Sequence, residues 1–294
     1  MTFISYAQNF EDVMLWRALK HVPNGFYIDI GAQDPIIDSV SRAFYEHGWH
    51  GLHVEPTEQY SKKLREARPD ETILQVAIGN AEGSLTFYEI ENTGLSTADE
   101  VIAKRHKDAG FPCRETKVPV VSLDSLFDQY AEPHVHWLKL DVEGLEKSVL
   151  ETWRYSSVRP WVLVIESTKP LTQEEDYAGW ESIVLGKGYQ FAYFDGLNRF
   201  YVSLLHAELA NAFSSPPNVF DGFQLSGLAS PPFCSRVVAQ AQQAESKAQQ
   251  AESKAEQAES KAEQAESKAE QAESKAEQAE SKAEQAESKA EQAE

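Results

Sequence analysis

The stretch HVHWLKLDVEG (134–144) decides the fold class. It is a short apolar run that ends in two carboxylates and a glycine. LEKSVLETW (145–153) follows it with the apolar spacing of an amphipathic helix. Units of this kind recur along most of the chain. Because strands that alternate with helices imply βαβ units, the sequence predicts an α/β protein with a mostly parallel sheet.

Working outward from this stretch, the same pattern predicts four more strands, at residues 25–32, 51–56, 72–79 and 159–167. The run WVLVI (161–165) is apolar throughout, which is typical of a strand covered on both faces. Residues 84–90 are predicted to be an extended excursion. Helices are predicted over 38–49, 58–67 and 98–109, and from a start at Ser122 and Asp124.

The last two predicted strands form a hairpin. YQFAYF (189–194) and RFYVS (199–203) flank Asp195-Gly196-Leu197-Asn198, which is a strong turn signal. An antiparallel C-terminal hairpin on an otherwise parallel sheet is typical of the class I methyltransferase (Rossmann-like) sheet. We therefore predict that sheet, followed by a long α-helical coiled-coil tail.

The tail is a simple repeat. From Ala244 to the end, the chain consists of seven copies of AESKAEQ (AESKAQQ in the first copy) and a final Ala-Glu, without any aromatic residue, Val, Ile, Leu or Gly. A globular body of about 235 residues precedes it, which is long enough to bury a full core. The predicted organisation is a methyltransferase domain at 1–206, an irregular cap and linker at 207–236, and a heptad-repeat tail at 237–294.

The charge excludes some partners. The net charge is −20, and the fourteen Glu and seven Lys of the tail leave −13 for the body. An acidic body argues against nucleic acid and against an anionic membrane surface. We see no signal peptide, no apolar run of ~20 residues that would insert into a membrane, and only two cysteines. We expect a soluble, cytoplasmic protein.

Ligands of an open α/β sheet bind beyond the carboxyl ends of its strands. Residues of small or acidic type stand there: Asp29, Gly31, Ala32, Glu55, Pro56, Ala77, Ile78 and Asp141. A GxGxxG turn is absent, which disfavours a dinucleotide. Glu55 follows Gly31 at a spacing where an acidic side chain can accept hydrogen bonds from ribose hydroxyls. A nucleoside without phosphates fits, and we predict S-adenosylmethionine. Alternatively, Asp29 and Glu55 merely end their strands.

Five segments carry a family resemblance: YIDIGAQDP (27–35), HVEP (53–56), VAIGNAEG (76–83), VPVVSLDSL (118–126) and LKLDVEGLEKSVL (138–150). Together they resemble the FkbM family of S-adenosylmethionine-dependent methyltransferases, over roughly residues 4 to 205. The resemblance implies a class I fold and methyl transfer, typically to a hydroxyl oxygen of a sugar or polyketide. It also implies that Asp29, Gly31 and Ala32 line the methionine part of the cofactor, Glu55 holds the ribose, and Ala77 and Ile78 flank the adenine.

A hydroxyl group is a poor nucleophile, so a positioned base is expected. Asp141 and Glu143 are the candidates, because two nearby carboxylates raise the pKa of one of them. Glu143 could instead interact with a helix dipole. Lys139 shares the strand face of Asp141 and is either catalytic or its salt-bridge partner. No metal is predicted. His134 and His136 could be ligands at i, i+2, but they lie at the amino end of their strand, away from the cleft, and are read as structural; His47, His50 and His53 show no metal-ligand spacing.

Two further segments are candidates for the walls of the cleft. Ser5, Gln8 and Asp12 could form a lid over the cofactor, or could simply cap a helix or face solvent. The loop at 93–97 could reach hydroxyl groups of a substrate, or could be only a turn.

The predicted function is an S-adenosylmethionine-dependent O-methyltransferase that acts on a hydroxyl of a glycan, sugar-containing or small-molecule acceptor. The alternatives are a non-catalytic methyltransferase-like scaffold and a small-molecule N-methyltransferase. In the tail, alanines recur at a and d positions, with Glu252 at e and Lys254 at g. This pairing of charges favours a parallel homo-oligomer. A single solvated helix is the alternative.

Overall fold

The computed structural model describes residues 2–80, 83–90, 93–227 and 231–291. The chain divides into two compact units, one that ends at Cys234 and one that begins at Ser235. The first unit contains all the strands and all but the last of the helices, and the second is helical. The two units are described separately.

Twelve strands lie in the described part of the first unit. In chain order they are β1 (Phe3–Ser5), β2 (Phe26–Ile30), β3 (His50–Val54), β4 (Thr72–Leu74), β5 (Ala77–Ile78), β6 (Ser84–Glu89), β7 (Arg114–Val121), β8 (Trp137–Leu140), β9 (Val162–Glu166), β10 (Tyr189–Phe194), β11 (Asn198–Ser203) and β12 (Phe223–Leu225). The helices between them are α1 (Glu11–Leu19), α2 (Arg42–Glu46), α3 (Glu58–Ala67), α4 (Glu100–Asp108), α5 (Leu123–Tyr130), α6 (Glu146–Leu150) and α7 (Glu181–Gly186). Two 3₁₀ segments follow, at Leu204–Phe213 and Val219–Asp221.

Seven strands form the main sheet, in the order β10-β11-β9-β8-β2-β3-β4. The pairs from β9 to β4 are all parallel, whereas β11 runs antiparallel to both β9 and β10. The mostly parallel sheet and the C-terminal hairpin are thus confirmed. The register places Asp29 of β2 opposite Lys139 of β8.

Both faces of this sheet are covered. Tyr27 and Trp137 pack into one buried cluster, and their neighbours Ile28 and Leu138 pack into another. Because successive residues of a strand point to opposite faces, the two clusters lie on the two sides of the sheet. This arrangement explains why the central strands are apolar without alternation.

The strand predicted at 72–79 is wrong as a single element. β4 belongs to the main sheet, and β5 pairs with β7 in a separate three-stranded sheet that also contains β6. The main ladder ends where Glu55 N–H donates to the carbonyl of Leu74, and the chain then moves away. Ala77 and Ile78 therefore stand beside the main sheet and not at its edge strand.

Two helices are shorter than predicted. The pattern predicts a helix over 38–49, but Asp38 has a φ of +55° and α2 starts only at Arg42. After β8, Leu145 has non-helical backbone angles, so α6 covers only Glu146–Leu150. The helix predicted at 58–67 is confirmed at its predicted bounds as α3.

The segment after β11 consists of the two 3₁₀ segments, β12 and the turns between them, and it packs against the rest of the first unit. Leu209 and Phe213 of the first 3₁₀ segment are buried in the core. Arg17 of α1 forms an ion pair of 2.7 Å with Asp221, and β12 pairs with β1.

The helix α8 (Pro231–Glu291) contains the described part of the repeat. The helical prediction for the tail is confirmed, with a start some residues earlier than expected. The described side chains from 241 to 264 are exposed. Within the described residues, no helix combines the length and the apolar character that a membrane span requires.

Candidate active site

A cavity of about 850 Å³ opens at the carboxyl ends of β2, β3, β8 and β9. All ten residues predicted for the site line this cavity: Asp29, Gly31, Ala32, Glu55, Pro56, Ala77, Ile78, Lys139, Asp141 and Glu143. Four strands, β2, β3, β5 and β8, and the turns that follow them supply these residues. The fold thus brings the predicted residues together around one space, whereas their individual roles stay predictions.

Gly31 allows the backbone after β2 to lie close to the backbone after β8. It follows β2 with a φ of +82°, and its N–H donates to the carbonyl of Val54 at 2.9 Å. A Cβ atom at this position would lie 1.8 Å from the carbonyl oxygen of Asp141. Only glycine allows this backbone path and this approach of the two strand ends.

Asp29 offers an unused acceptor at the cavity wall. The residue is 2 % exposed, and its Oδ2 accepts a hydrogen bond of 2.7 Å from Ser41 Oγ. Its Oδ1 is buried and has no hydrogen-bond partner among the described residues. A buried carboxylate oxygen without a partner is unfavourable, so a donor group in the cavity would stabilise it.

Glu55 is held in one orientation. Its Oε1 accepts hydrogen bonds from Thr57 N–H at 2.8 Å and from Thr57 Oγ1 at 2.5 Å, and its Oε2 accepts one from Gln33 N–H at 3.0 Å. The residue is 4 % exposed, and this burial raises the pKa of Glu55 against the opposing effect of these bonds. Oε2, which accepts only one bond, keeps acceptor capacity for a further donor such as a ribose hydroxyl.

Three carboxylates converge where β8 and β9 end. One oxygen each of Asp141, Glu143 and Glu166 lies within 4.8 Å of the other two. Burial, together with the neighbouring acids, raises the pKa of Glu143 and of Glu166 well above the ordinary value. Lys139 Nζ donates to Asp141 Oδ2 at 2.6 Å, which is the ion pair that was one of its two predicted roles.

Glu166 is a site residue that the sequence reasoning missed. It ends β9 just as Asp141 follows β8, so the rule that selected Asp141 would have selected it too. The histidines of the sequence do not indicate a metal site. The acidic group arises only when two strands that are distant in sequence lie side by side.

Glu11 is a second missed residue at the cavity wall. It is 2 % exposed, and it accepts hydrogen bonds from Asn9 N–H and from Asn198 Nδ2, both at 2.8 Å. Burial and the nearby Asp195 raise the pKa of Glu11 to about 8. No local signal in the sequence predicts this, because Asn198 is 187 positions away.

The predicted loop lines the cavity, whereas most of the predicted lid does not. Of the three N-terminal residues, only Gln8 lines the cavity, whereas Ser5 Oγ donates to Asp12 Oδ1 at 2.8 Å in the interior. Residues 93–96 of the predicted loop line the cavity, as do four residues of a loop that was not predicted: Thr168, Leu171, Thr172 and Gln173.

The histidines before β8 lie away from the cavity. The backbone N–H of Phe26, the first residue of β2, donates to His136 Nδ1 at 3.0 Å, so this ring is at the amino end of the sheet. This position agrees with the predicted one, whereas the structural role of the ring stays a prediction.

Comparison with known proteins gives two matches. The sequence model described as the methyltransferase FkbM domain matches residues 29–191, which is more than half of the chain. The model described as alanine-zipper, major outer membrane lipoprotein, matches residues 234–294. No curated protein matches the chain. The first match begins at Asp29 and includes the strand ends that form the cavity, so the chain belongs to the FkbM methyltransferase family.

Proposed function

We propose that this methyltransferase uses S-adenosylmethionine and transfers the methyl group to a hydroxyl oxygen of a glycan or another sugar-containing acceptor. The observation that carries the proposal is the distribution of polar groups around the cavity. Asp29 and Glu55, at the ends of β2 and β3, offer acceptor atoms for an amino group and a nucleoside, whereas Asp141, Glu143 and Glu166 stand at the ends of the adjacent strands β8 and β9.

Residues at the ends of β2, β3 and β5 fit the cofactor. Asp29 Oδ1 is a buried acceptor without a partner among the described residues, which suits the amino group. Glu55 is oriented by Thr57 and Gln33 to accept hydrogen bonds from the ribose hydroxyls. Ala77 and Ile78 give an apolar wall for the adenine. When bound, S-adenosylmethionine supplies an electrophilic methyl group.

The carboxylates at the ends of β8 and β9 fit an acceptor hydroxyl. Such a group must lose its proton as its oxygen gains the methyl group, and a carboxylate within reach can take that proton. Glu143 is the proposed base, because it lines the cavity in the turn after β8, beside Asp141 and Glu166. Lys139 orients Asp141 through their ion pair.

Three further features belong to the proposal. The position of the antiparallel strand β11 between β9 and β10 supports a class I (Rossmann-like) methyltransferase sheet. The alanine-zipper match and the a and d alanines support a parallel coiled coil of identical chains. The free cysteines Cys113 and Cys234 support a reducing compartment such as the cytoplasm.

The first test is calorimetric titration of the full chain with S-adenosylhomocysteine. We expect micromolar binding that Asp29→Ala abolishes and that Asp128→Ala, a change at an exposed aspartate of α5, leaves intact. If the wild-type chain does not bind, the scaffold alternative replaces the proposal.

The second test is an acceptor screen with a labelled methyl donor, followed by product analysis. A methyl group on an oxygen supports the proposal. A methyl group on a nitrogen would favour the alternative of a small-molecule N-methyltransferase.

A further inference from the structure

We propose that Asp141, Glu143 and Glu166 bind one hard divalent cation, such as Mg²⁺ or Mn²⁺, in the cavity. The three side chains come from the ends of two adjacent parallel strands, β8 and β9, and from the turn after β8. Each contributes one carboxylate oxygen to the same small space. Oxygen ligands of this kind are those that Mg²⁺, Mn²⁺ and Ca²⁺ prefer.

The spacing of the oxygens suits one cation. The three oxygens lie within 4.8 Å of one another. Two ligands on opposite sides of one ion are separated by twice the metal–oxygen distance, which is about 4.2 Å for Mg²⁺ and about 5 Å for Ca²⁺. Adjacent ligands of Mg²⁺ are about 3 Å apart, so the three side chains would draw closer together when they bind the ion.

Glu166 supplies a second, independent reason. The residue is 8 % exposed, yet its Oε2 is buried without a hydrogen-bond partner among the described residues. This oxygen belongs to a side chain that lines the cavity and that faces two other carboxylates. Native structures rarely leave a buried carboxylate in this state, so a ligand that accepts electron pairs is the simplest partner.

The three carboxylates carry more negative charge than Lys139 alone can neutralise. Lys139 stands against three carboxylates, and its Nζ is already engaged with Asp141 Oδ2 at 2.6 Å. Asp29, which lies opposite Lys139 on the neighbouring strand β2, adds a further negative charge to the surroundings. A divalent cation at the oxygens of Asp141, Glu143 and Glu166 would balance the charge of this cluster.

The cavity gives the cation access to a ligand. Because the three carboxylates line the cavity, a cation bound to them would be accessible to water or to the hydroxyl groups of a sugar. A cation that binds a hydroxyl oxygen lowers its pKa and so eases the loss of the proton. This catalytic consequence rests on the proposed function, whereas the binding of the cation does not.

The test is a titration of the full chain with Mn²⁺, followed by electron paramagnetic resonance of the free ion. Glu166→Gln removes a ligand while it keeps the shape of the side chain. The matched control is Glu208→Gln, the same change at an exposed residue outside the cavity. Weak binding to the fourteen tail glutamates is common to all the proteins and cancels in the comparison.

We expect one saturable site per chain that Mg²⁺ displaces, about tenfold or more weaker in Glu166→Gln and unchanged in the control. Asp141→Asn is a second variant in case Glu166→Gln does not fold, which circular dichroism would show. Wild-type titrations that show only the weak tail binding, or a site that survives both variants, would overturn the proposal. If S-adenosylhomocysteine fails to bind while the Mn²⁺ site persists, only the proposed function fails.

Discussion

Glu11 holds a carboxyl group away from water at the wall of the cavity. Burial and Asp195 raise its pKa in the folded chain to about 8, whereas the ordinary value is 4.5. Between these two values the folded chain binds a proton that the unfolded chain has released. The contribution of Glu11 to the free energy of unfolding is therefore largest at low pH, and it is lost as the pH rises towards 8.

We predict that Glu11→Gln removes this dependence. Between pH 6 and pH 8 the wild-type chain should lose about 1 kcal/mol of stability per pH unit relative to the variant, because the variant has no proton to release. Urea denaturation at several pH values measures the difference. Glu208→Gln, at an exposed position, is the control. Parallel stability curves for wild type and Glu11→Gln would contradict the assignment.

The carboxylates after β8 make a different prediction. We expect Asp141→Asn and Glu143→Gln to lower turnover about a hundredfold or more, since general-base catalysis contributes on this scale. Binding of S-adenosylhomocysteine should change much less, because the proposed cofactor contacts lie at Asp29 and Glu55. Single-turnover kinetics and calorimetry separate the two effects. Unchanged turnover in both variants would exclude these residues as the base.

At this scale, part of the site was predictable. Asp29, Glu55 and Asp141 stand at the ends of apolar runs, and a general rule about parallel sheets places them at one edge. Glu166 satisfies the same rule and was overlooked. Glu11 could not be found in this way, because its place in the cavity depends on a hydrogen bond with Asn198, which is 187 positions away in the sequence.

Among the elements, α5 shows how a local signal fixes a helix. Ser122 Oγ accepts a hydrogen bond from Ser125 N–H at 3.0 Å, and the helix buries Leu123, Leu126 and Phe127. This cap satisfies an amide group that the helix itself leaves without a partner. The start of the helix was accordingly predictable from the sequence.

We predict that Ser122→Ala destabilises the chain by about 1 kcal/mol, the usual cost of removing a serine cap. Thermal and urea denaturation would measure the loss. Ser148→Ala, at an exposed position inside α6, makes the same chemical change without removing a cap and should not destabilise the chain. Equal effects of the two substitutions would show that the Ser122 cap contributes nothing measurable.

The division between β4 and β5 was not predictable. Residues 72–79 are mostly apolar, and the polar Gln75 between the two strands is not a turn signal. The break arises because β5 finds its hydrogen-bond partner in β7, which follows some forty residues later in the chain. Competition between two distant partners leaves no trace in local periodicity, so a pattern predicts that a strand exists but not which sheet it joins.

At the scale of the whole molecule, the repeat in α8 predicts how identical chains associate. All seven tail lysines occupy the g position and all e positions from residue 245 onward are glutamate. Parallel chains would place opposite charges at g and e. We predict that sedimentation of the full chain shows a homo-oligomer and that replacing every g lysine with glutamate makes it a monomer.

The matched control replaces the serines at the f positions, such as Ser253, with alanine and should leave the mass unchanged. Helical content, followed by circular dichroism, separates loss of association from loss of the helix. A monomeric wild-type chain would favour the solvated single helix.

The contact between Gly31 and Asp141 has a consequence for how such an enzyme can diverge. The backbone that follows β2 rests against the carbonyl that follows β8, with no room for a methyl group. Under the proposed function, changes at either strand end would disturb both the cofactor and the acceptor, so selection for a new acceptor would be restricted there. The loops at 93–97 and 168–173 line the same cavity without belonging to this contact. We therefore expect variation in acceptor preference among relatives to accumulate in these loops, while the strand ends stay fixed.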